Sequence, residues 1–305
     1  MDSAREPIDI NIPRKGRLIQ DYFREPAAGA PPFFSLVEFN LSGLCNRTCV
    51  FCPRVDPAVY PNRNEHIPLE LYEKVMRELG AMDYRGMILH SGFGEPLLAK
   101  RVEALVELTK RHCPHARLEM VTNGDRLTPA KLRSLFAAGL DTLLVSMYDG
   151  PEQQPVFEGM RAEAGLTDEQ VVLRVRWLPV EEHFGIALTN RGGLVEIKAA
   201  GVERLREPMK RRCHYPFYMT MVDWDGSVLL CTHDWGKKLV VGNVRDATLR
   251  DLWESDTMKR VRQSLAGANR DFAPCNICDV DGTLMGGRQF DAWLDYYDRR
   301  ERSAP

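Results

Sequence analysis

No stretch of this 305-residue chain is long and apolar enough to cross a bilayer, and its first residues lack the hydrophobic segment of a secretory signal. The expectation is a cytoplasmic protein without a membrane partner. An excess of charge of one sign is also missing. Lys and Arg number 41 and Asp and Glu 43, a formal net charge of −2, so no broad field attracts nucleic acid. No internal repeat is present, which excludes a solenoid, and no low-complexity tract. The 44% of hydrophobic residues suffice for one large core, or a large domain and a small one.

Cysteine, by contrast, is plentiful. Eight are present, and in a reducing compartment grouped thiols read as metal ligands or catalytic groups before disulfides. Seven form groups: Cys45, Cys49 and Cys52; Cys213 and Cys231; Cys275 and Cys278. Cys113 stands alone.

Residues 1–32 are rich in Pro, Ala and charge and read as an extended lead-in. From residue 33 strands and helices alternate. Strand patterns fall at 33–42, 85–91, 116–124, 141–150 and 171–177. Amphipathic helices fall at 68–82 and 102–112, at 129–139 behind a Thr128 cap, and around 151–165. This alternation implies right-handed crossovers and a parallel sheet of about five or six units. The α/β fold expected is a partial (βα)6 barrel over 33–190, with ligands at the C-terminal ends of its strands. Near residue 190 the pattern changes. A hairpin turns at Asp225-Gly226, Thr248 caps a short helix, and another helix follows before Cys275. A small α+β domain over 191–290 and a C-terminal helix or tail over 291–305 complete the organisation.

The first group, CNRTCVFC, is C-x3-C-x2-C directly after a strand. A closed zinc site wants four ligands. Three thiolates leave one iron of a [4Fe–4S] cube open to a ligand. This motif resembles the radical SAM superfamily, in which the open iron chelates S-adenosylmethionine (SAM). The resemblance implies that Phe51 packs near adenine. The second strand ends in Ser91-Gly92-Phe93-Gly94-Glu95-Pro96, similar to the family's G-G-E-P segment that meets the methionyl amino group, with Phe93 in place of a glycine. The third ends in Thr122-Asn123-Gly124, near the ribose in the family. The fourth, Val145-Ser146-Met147-Tyr148-Asp149-Gly150, resembles a V-S-x-D-G segment with one extra residue, its Ser146 reaching the methionine carboxylate. Arg174 or Arg176 on the next strand is a cation for that carboxylate, with Arg174 favoured.

The second group reads C-x12-G-x4-C from Cys213 through Gly226 to Cys231, followed by Cys275-x2-Cys278. Four thiolates ligate every iron of a second cube or, on spacing alone, one structural zinc. The arrangement resembles a SPASM domain in its shortened, twitch form, as in radical SAM dehydrogenases of the aminocyclitol type. The resemblance implies SAM and two [4Fe–4S] clusters, an external donor such as flavodoxin or ferredoxin, and oxidation of an alcohol on a small carbohydrate-like molecule. The auxiliary cluster would accept the electron. His233 and Asp234 are candidate bases, and Arg191 and Tyr148 candidate hydroxyl ligands. A sugar epimerase is the main alternative. It needs a hydrogen donor, and Cys113, the thiol outside the clusters, belongs to the wrong end of the barrel. A peptide maturase and a non-catalytic zinc protein are further alternatives.

Overall fold

The computed structural model describes residue 9, residues 11–27 and residues 29–302; the parts of the expected lead-in and tail at 1–8, 10, 28 and 303–305 lie outside the described residues. The extended lead-in is corrected at Asn11–Asp21, which forms helix α1. Pro13 misleads here. It falls in the first helical turn, where backbone N–H groups have no intrahelical partner to lose. The Asp9 carboxylate takes up one of them, accepting from Asn11 N at 2.9 Å. Ile19 is fully buried in a cluster with Leu36, Met87 and Leu89, which anchors α1 to the sheet.

The expected strands form as β1 (Leu36–Phe39), β2 (Met87–His90), β3 (Arg117–Thr122), β4 (Thr142–Met147) and β5 (Val171–Val175). Between them lie α2 (Leu69–Ala81), α3 (Val102–His112), α4 (Pro129–Ala137) and α5 (Gln153–Glu163). Thr128 caps α4, its hydroxyl accepting from Lys131 N at 3.0 Å. Neighbouring strands pair in parallel from β1 to β5.

Alternation along each strand separates two faces. Val37, Phe39, Ile88, Leu118, Met120, Leu143 and Val145 pack into a core with Leu71 and Val75 of α2, Leu105 of α3 and Leu132 of α4. The opposite face carries Glu38, Leu89, Glu119, Val121, Leu144, Ser146 and Arg174, all of which line one cavity. Glu38 is in register with Leu89, and Ser146 with Arg174. Asn11, Ile12 and Lys15 of α1 line the same cavity, so α1 helps to enclose it.

Beyond β5 come α6 (Tyr215–Tyr218), β6 (Met219–Val222), β7 (Ser227–Leu229), β8 (Val240–Asn243), α7 (Leu249–Trp253), α8 (Asp256–Ala266) and α9 (Gly287–Arg302). The expected hairpin at Asp225-Gly226 joins β6 to β7. One sheet runs β5-β4-β3-β2-β1-β6-β7-β8. The sixth parallel strand therefore lies beside β1 and not beyond β5, and hydrogen bonds cross the division expected at residue 190. The free edge of β1 offers unpaired N–H and C=O groups, and β6 takes them up. Arg262 of α8 is stacked between Trp253 and Trp293, its Cζ 4.0 and 3.8 Å from their ring centroids, which pins α9 to α7 and α8.

Candidate functional site

The cavity, about 550 Å³, opens where the C-terminal ends of β1–β5 meet the loop after β7. Cys45, Cys49, Cys52 and Phe51 belong to its wall, and so do Arg191, Thr232, His233 and Asp279 from the C-terminal region. Both cysteine groups thus border one chamber, the second through residues next to Cys231 and Cys278.

Burial raises the thiol pKa of all three cysteines in the first loop, and Cys52 and Cys45 add to the effect at Cys49, pushing it up to about 12. Such thiols lose their protons only to a compensating metal charge, which suits a thiophilic cluster. Among the described residues no three His, Cys, Asp or Glu side chains are close enough to grip one ion. A cubane distributes its ligands over separate irons and accommodates that spread.

At the end of β2, glycine is required by close approach. A Cβ at Gly94 would lie 2.1 Å from Ser42 O, and one at Gly92, where φ is +99°, 2.9 Å from the Asn40 Cβ. Phe93 occupies the family's glycine position without strain. Its ring leaves the loop and packs 4.4 Å from the Trp235 ring. Pro96 is buried at the head of a short 3-10 turn. Glu95 lines the chamber, but its carboxylate is already engaged. It accepts from Leu97 N, Asn123 N and the Thr122 hydroxyl at 3.0, 2.8 and 2.7 Å, tying β2 to β3. Burial outweighs those bonds and raises its pKa to about 7. Asn123 donates to Asn46 Oδ1 at 2.9 Å, linking β3 to the cysteine loop.

Phe51 stacks with Tyr148 at 6.1 Å and 22°. Burial and the nearby Cys49 thiol raise the Tyr148 phenol to about 12. Tyr148 therefore stands beside the first cysteine group. Arg174 donates to Ser146 Oγ at 2.7 Å, while its Nε has no partner. Burial, then the neighbouring Arg176, lowers its pKa to about 10. Arg176 is occupied by Gly185 O at 2.6 Å and Asp9 at 2.8 Å. Of the two, only Arg174 has a buried side-chain nitrogen without a partner.

The second group is buried more deeply. Burial, then the nearby thiols of Cys275, Cys278 and Cys213, raises the Cys231 pKa well above the ordinary thiol value, so the four cysteines are neighbours. Gly282 closes on them, since a Cβ there would lie 2.6 Å from Cys213 Sγ. Four mutually unfavourable buried thiols match the donor set of a fully ligated cluster.

His233, 8% exposed, engages Tyr215 OH through Nε2 at 3.1 Å and leaves Nδ1 without a partner. Burial, then the Arg191 and Lys15 charges, lower its pKa to about 3, so the ring is neutral. Arg191 lines the chamber with Nε unpartnered. Asp234 departs from expectation. Its carboxylate accepts from Lys238 N and Leu239 N, each at 2.8 Å, and braces its own turn outside the chamber lining.

Three features escaped the sequence reading. Arg47, inside the first cysteine loop, forks onto Asp125 and Asp149 at the ends of β3 and β4. Its signal was two acidic residues directly after adjacent strand-end motifs. Glu38 is a buried charged residue in the otherwise apolar β1, and Glu119 is a buried acid on β3, a pattern that points to function. Lys15 was hidden by the lead-in assignment.

The chain matches the radical SAM superfamily over residues 39–177 and an iron-sulfur cluster-binding domain of SPASM type over residues 213–279. It is 30% identical over 248 residues to the S-adenosyl-L-methionine-dependent 2-deoxy-scyllo-inosamine dehydrogenase of Niallia circulans, covering 81% of this chain and 93% of that one. It is similar to the crystal structure of BtrN in complex with AdoMet and 2-DOIA, with 28% identity, a TM-score of 0.68, and coverage of 82% of this chain and 95% of that one. With Streptococcus suis SuiB bound to precursor peptide SuiA it shares the fold alone, at 14% identity and a TM-score of 0.54 over 80% of this chain and 69% of that one.

Proposed function

Because the chain belongs to the radical SAM superfamily, an oxidoreductase using SAM and two iron-sulfur clusters, we propose that it oxidises an alcohol of an aminocyclitol or similar sugar-like molecule to a ketone. One observation carries this reading: residues of the first cysteine group and neighbours of the second line a single chamber. When bound, SAM and the clusters supply a radical that removes a hydrogen atom and a sink for the electron left on carbon. Cys45, Cys49 and Cys52 would hold the first cluster, and Cys213, Cys231, Cys275 and Cys278 the auxiliary one. Gly92, Phe93 and Gly94 offer backbone groups to the methionyl amine, and Arg174 with Ser146 offers donors to its carboxylate. Phe51 and Tyr148 form an aromatic wall for the adenine. Arg191 donates to a substrate hydroxyl, and His233 Nδ1, the free nitrogen of a neutral ring, accepts that hydroxyl's hydrogen bond and orients its proton for departure. The enclosing α1 excludes water from reactive species.

The site for an external donor such as flavodoxin or ferredoxin, and a cytoplasmic location, belong to the same proposal. No helix among the described residues is long and apolar enough to cross a membrane.

The experiment is anaerobic reconstitution followed by iron analysis and product assay with aminocyclitols and sugars. About eight irons, 5′-deoxyadenosine and a ketone in equal amounts support the reading. About four irons, or 5′-deoxyadenosine formed without a ketone, would remove the auxiliary cluster from the oxidation.

A further inference from the structure

Among the described residues six carboxylates line the chamber, and five are committed elsewhere. Asp9 pairs with Arg176, Glu119 with Arg14 and Arg117, and Asp281 with Arg211. Glu95 accepts from two backbone N–H groups and a hydroxyl. Both oxygens of Asp279 accept from Asn190 N, at 2.9 and 3.0 Å. Glu38 remains. It is 3% exposed, sits mid-strand on β1, and among the described residues is hydrogen-bonded only by the Thr232 hydroxyl, which donates to Oε1 at the long distance of 3.3 Å. No Lys, Arg or His among the described residues forms an ion pair with it. A buried carboxylate without a cation is costly unless a partner arrives.

Building on the proposed function, we infer that Glu38 is the residue that recognises the substrate's amino group and so selects an aminocyclitol over its hydroxyl counterpart. A primary ammonium supplies both the missing positive charge and a strong donor to the free Oε2. Thr232 directly follows Cys231, so an amine held there is anchored at the second-cysteine end of the chamber. The remainder of a six-membered ring then extends towards the first cysteine loop. Lys15 and Arg191, which line the chamber and form no ion pair among the described residues, serve the ring's hydroxyl oxygens and not its amine.

The test compares 2-deoxy-scyllo-inosamine with the cyclitol bearing a hydroxyl in place of the amine, using reconstituted enzyme with both clusters and SAM. Wild type should favour the amine. Glu38→Gln should raise KM for the amine by about 10–100-fold, the range for losing a charged hydrogen bond, while KM for the hydroxyl congener moves only a few-fold. Glu38→Asp, which keeps the charge, should retain part of the preference. If Glu38→Gln does not load its clusters, Glu38→Asp carries the test, and its shortened arm should raise KM for the amine alone. An unchanged preference in an active variant overturns the role of Glu38 and leaves the dehydrogenase reading intact. A wild type that oxidises neither cyclitol brings down both.

Discussion

Arg174 on β5 reaches its register partner Ser146 on β4, its guanidinium donating to the serine hydroxyl at 2.7 Å. The Arg174 Nε has no partner among the described residues, which suits the carboxylate role proposed for the pair. Arg174→Lys keeps a charge but loses the planar fork. Equilibrium dialysis should show SAM affinity falling by about ten-fold or more, the cost of a charge-assisted hydrogen bond. Unchanged affinity would assign the carboxylate to another residue.

Arg47 joins the first cysteine loop to the ends of β3 and β4 through Asp125 and Asp149. Partial exposure limits its contribution to global stability to about 1 kcal/mol. Its consequence should be local. In Arg47→Ala, chelator should strip the first cluster faster than in wild type, while the auxiliary cluster persists. Time-resolved iron release distinguishes the two pools.

Glu95 links pH to stability. Burial raises its folded pKa to about 7, above the ordinary carboxylate value. Folding therefore takes up a proton between roughly pH 4.5 and 7. The stabilisation is complete below the unfolded pKa and is lost as pH rises through the folded one. Melting temperatures across pH 5–8 should decline with a component that Glu95→Gln removes. Parallel profiles for the two proteins would show that Glu95 does not titrate there.

Arg262, buried between two indoles, also donates to Pro216 O at 2.8 Å. Arg262→Ala removes cation–π contacts, a hydrogen bond and packing, together about 2–4 kcal/mol. Thermal unfolding should shift down by several degrees. A shift within error would mean that α9 is held chiefly by other contacts, among them Gln289, which donates to Ile19 O at 2.9 Å.

Cys113 is buried behind α3, donating to Met76 O at 3.4 Å, before the start of β3 and so opposite the chamber. Cys113→Ala should oxidise substrate at close to the wild-type rate. Loss of all product with both clusters present would revive an epimerase in which this thiol donates hydrogen.

What the sequence disclosed followed physical regularity. Strand-helix alternation gave the parallel core, and cysteine spacing gave both thiol groups, because each is written in local periodicity. Long-range partnerships left no such trace. Nothing in MTMV says that β6 will pair with β1, since a short apolar strand suits several sheet edges. Asp234 looked available because it follows a cysteine ligand, but a turn with two free N–H groups claims it. The lead-in concealed a helix because Pro13 is tolerated in a first turn. Glu38 could have been noticed, as the one acid in an apolar strand, without any indication of its missing partner.

The pairing of β6 with β1 bears on electron transfer. Leu36 to Phe39 lie opposite Met219 to Val222 in continuous register. The first cysteine loop leaves this ladder six residues after Phe39, and Cys213 enters it six residues before Met219. The placement of the first cysteine loop relative to Cys213 is thus tied to a backbone ladder. If the auxiliary cluster accepts the electron as proposed, substitutions in surface loops should barely alter that transfer, whereas a one-residue deletion in either strand would change it along with the register.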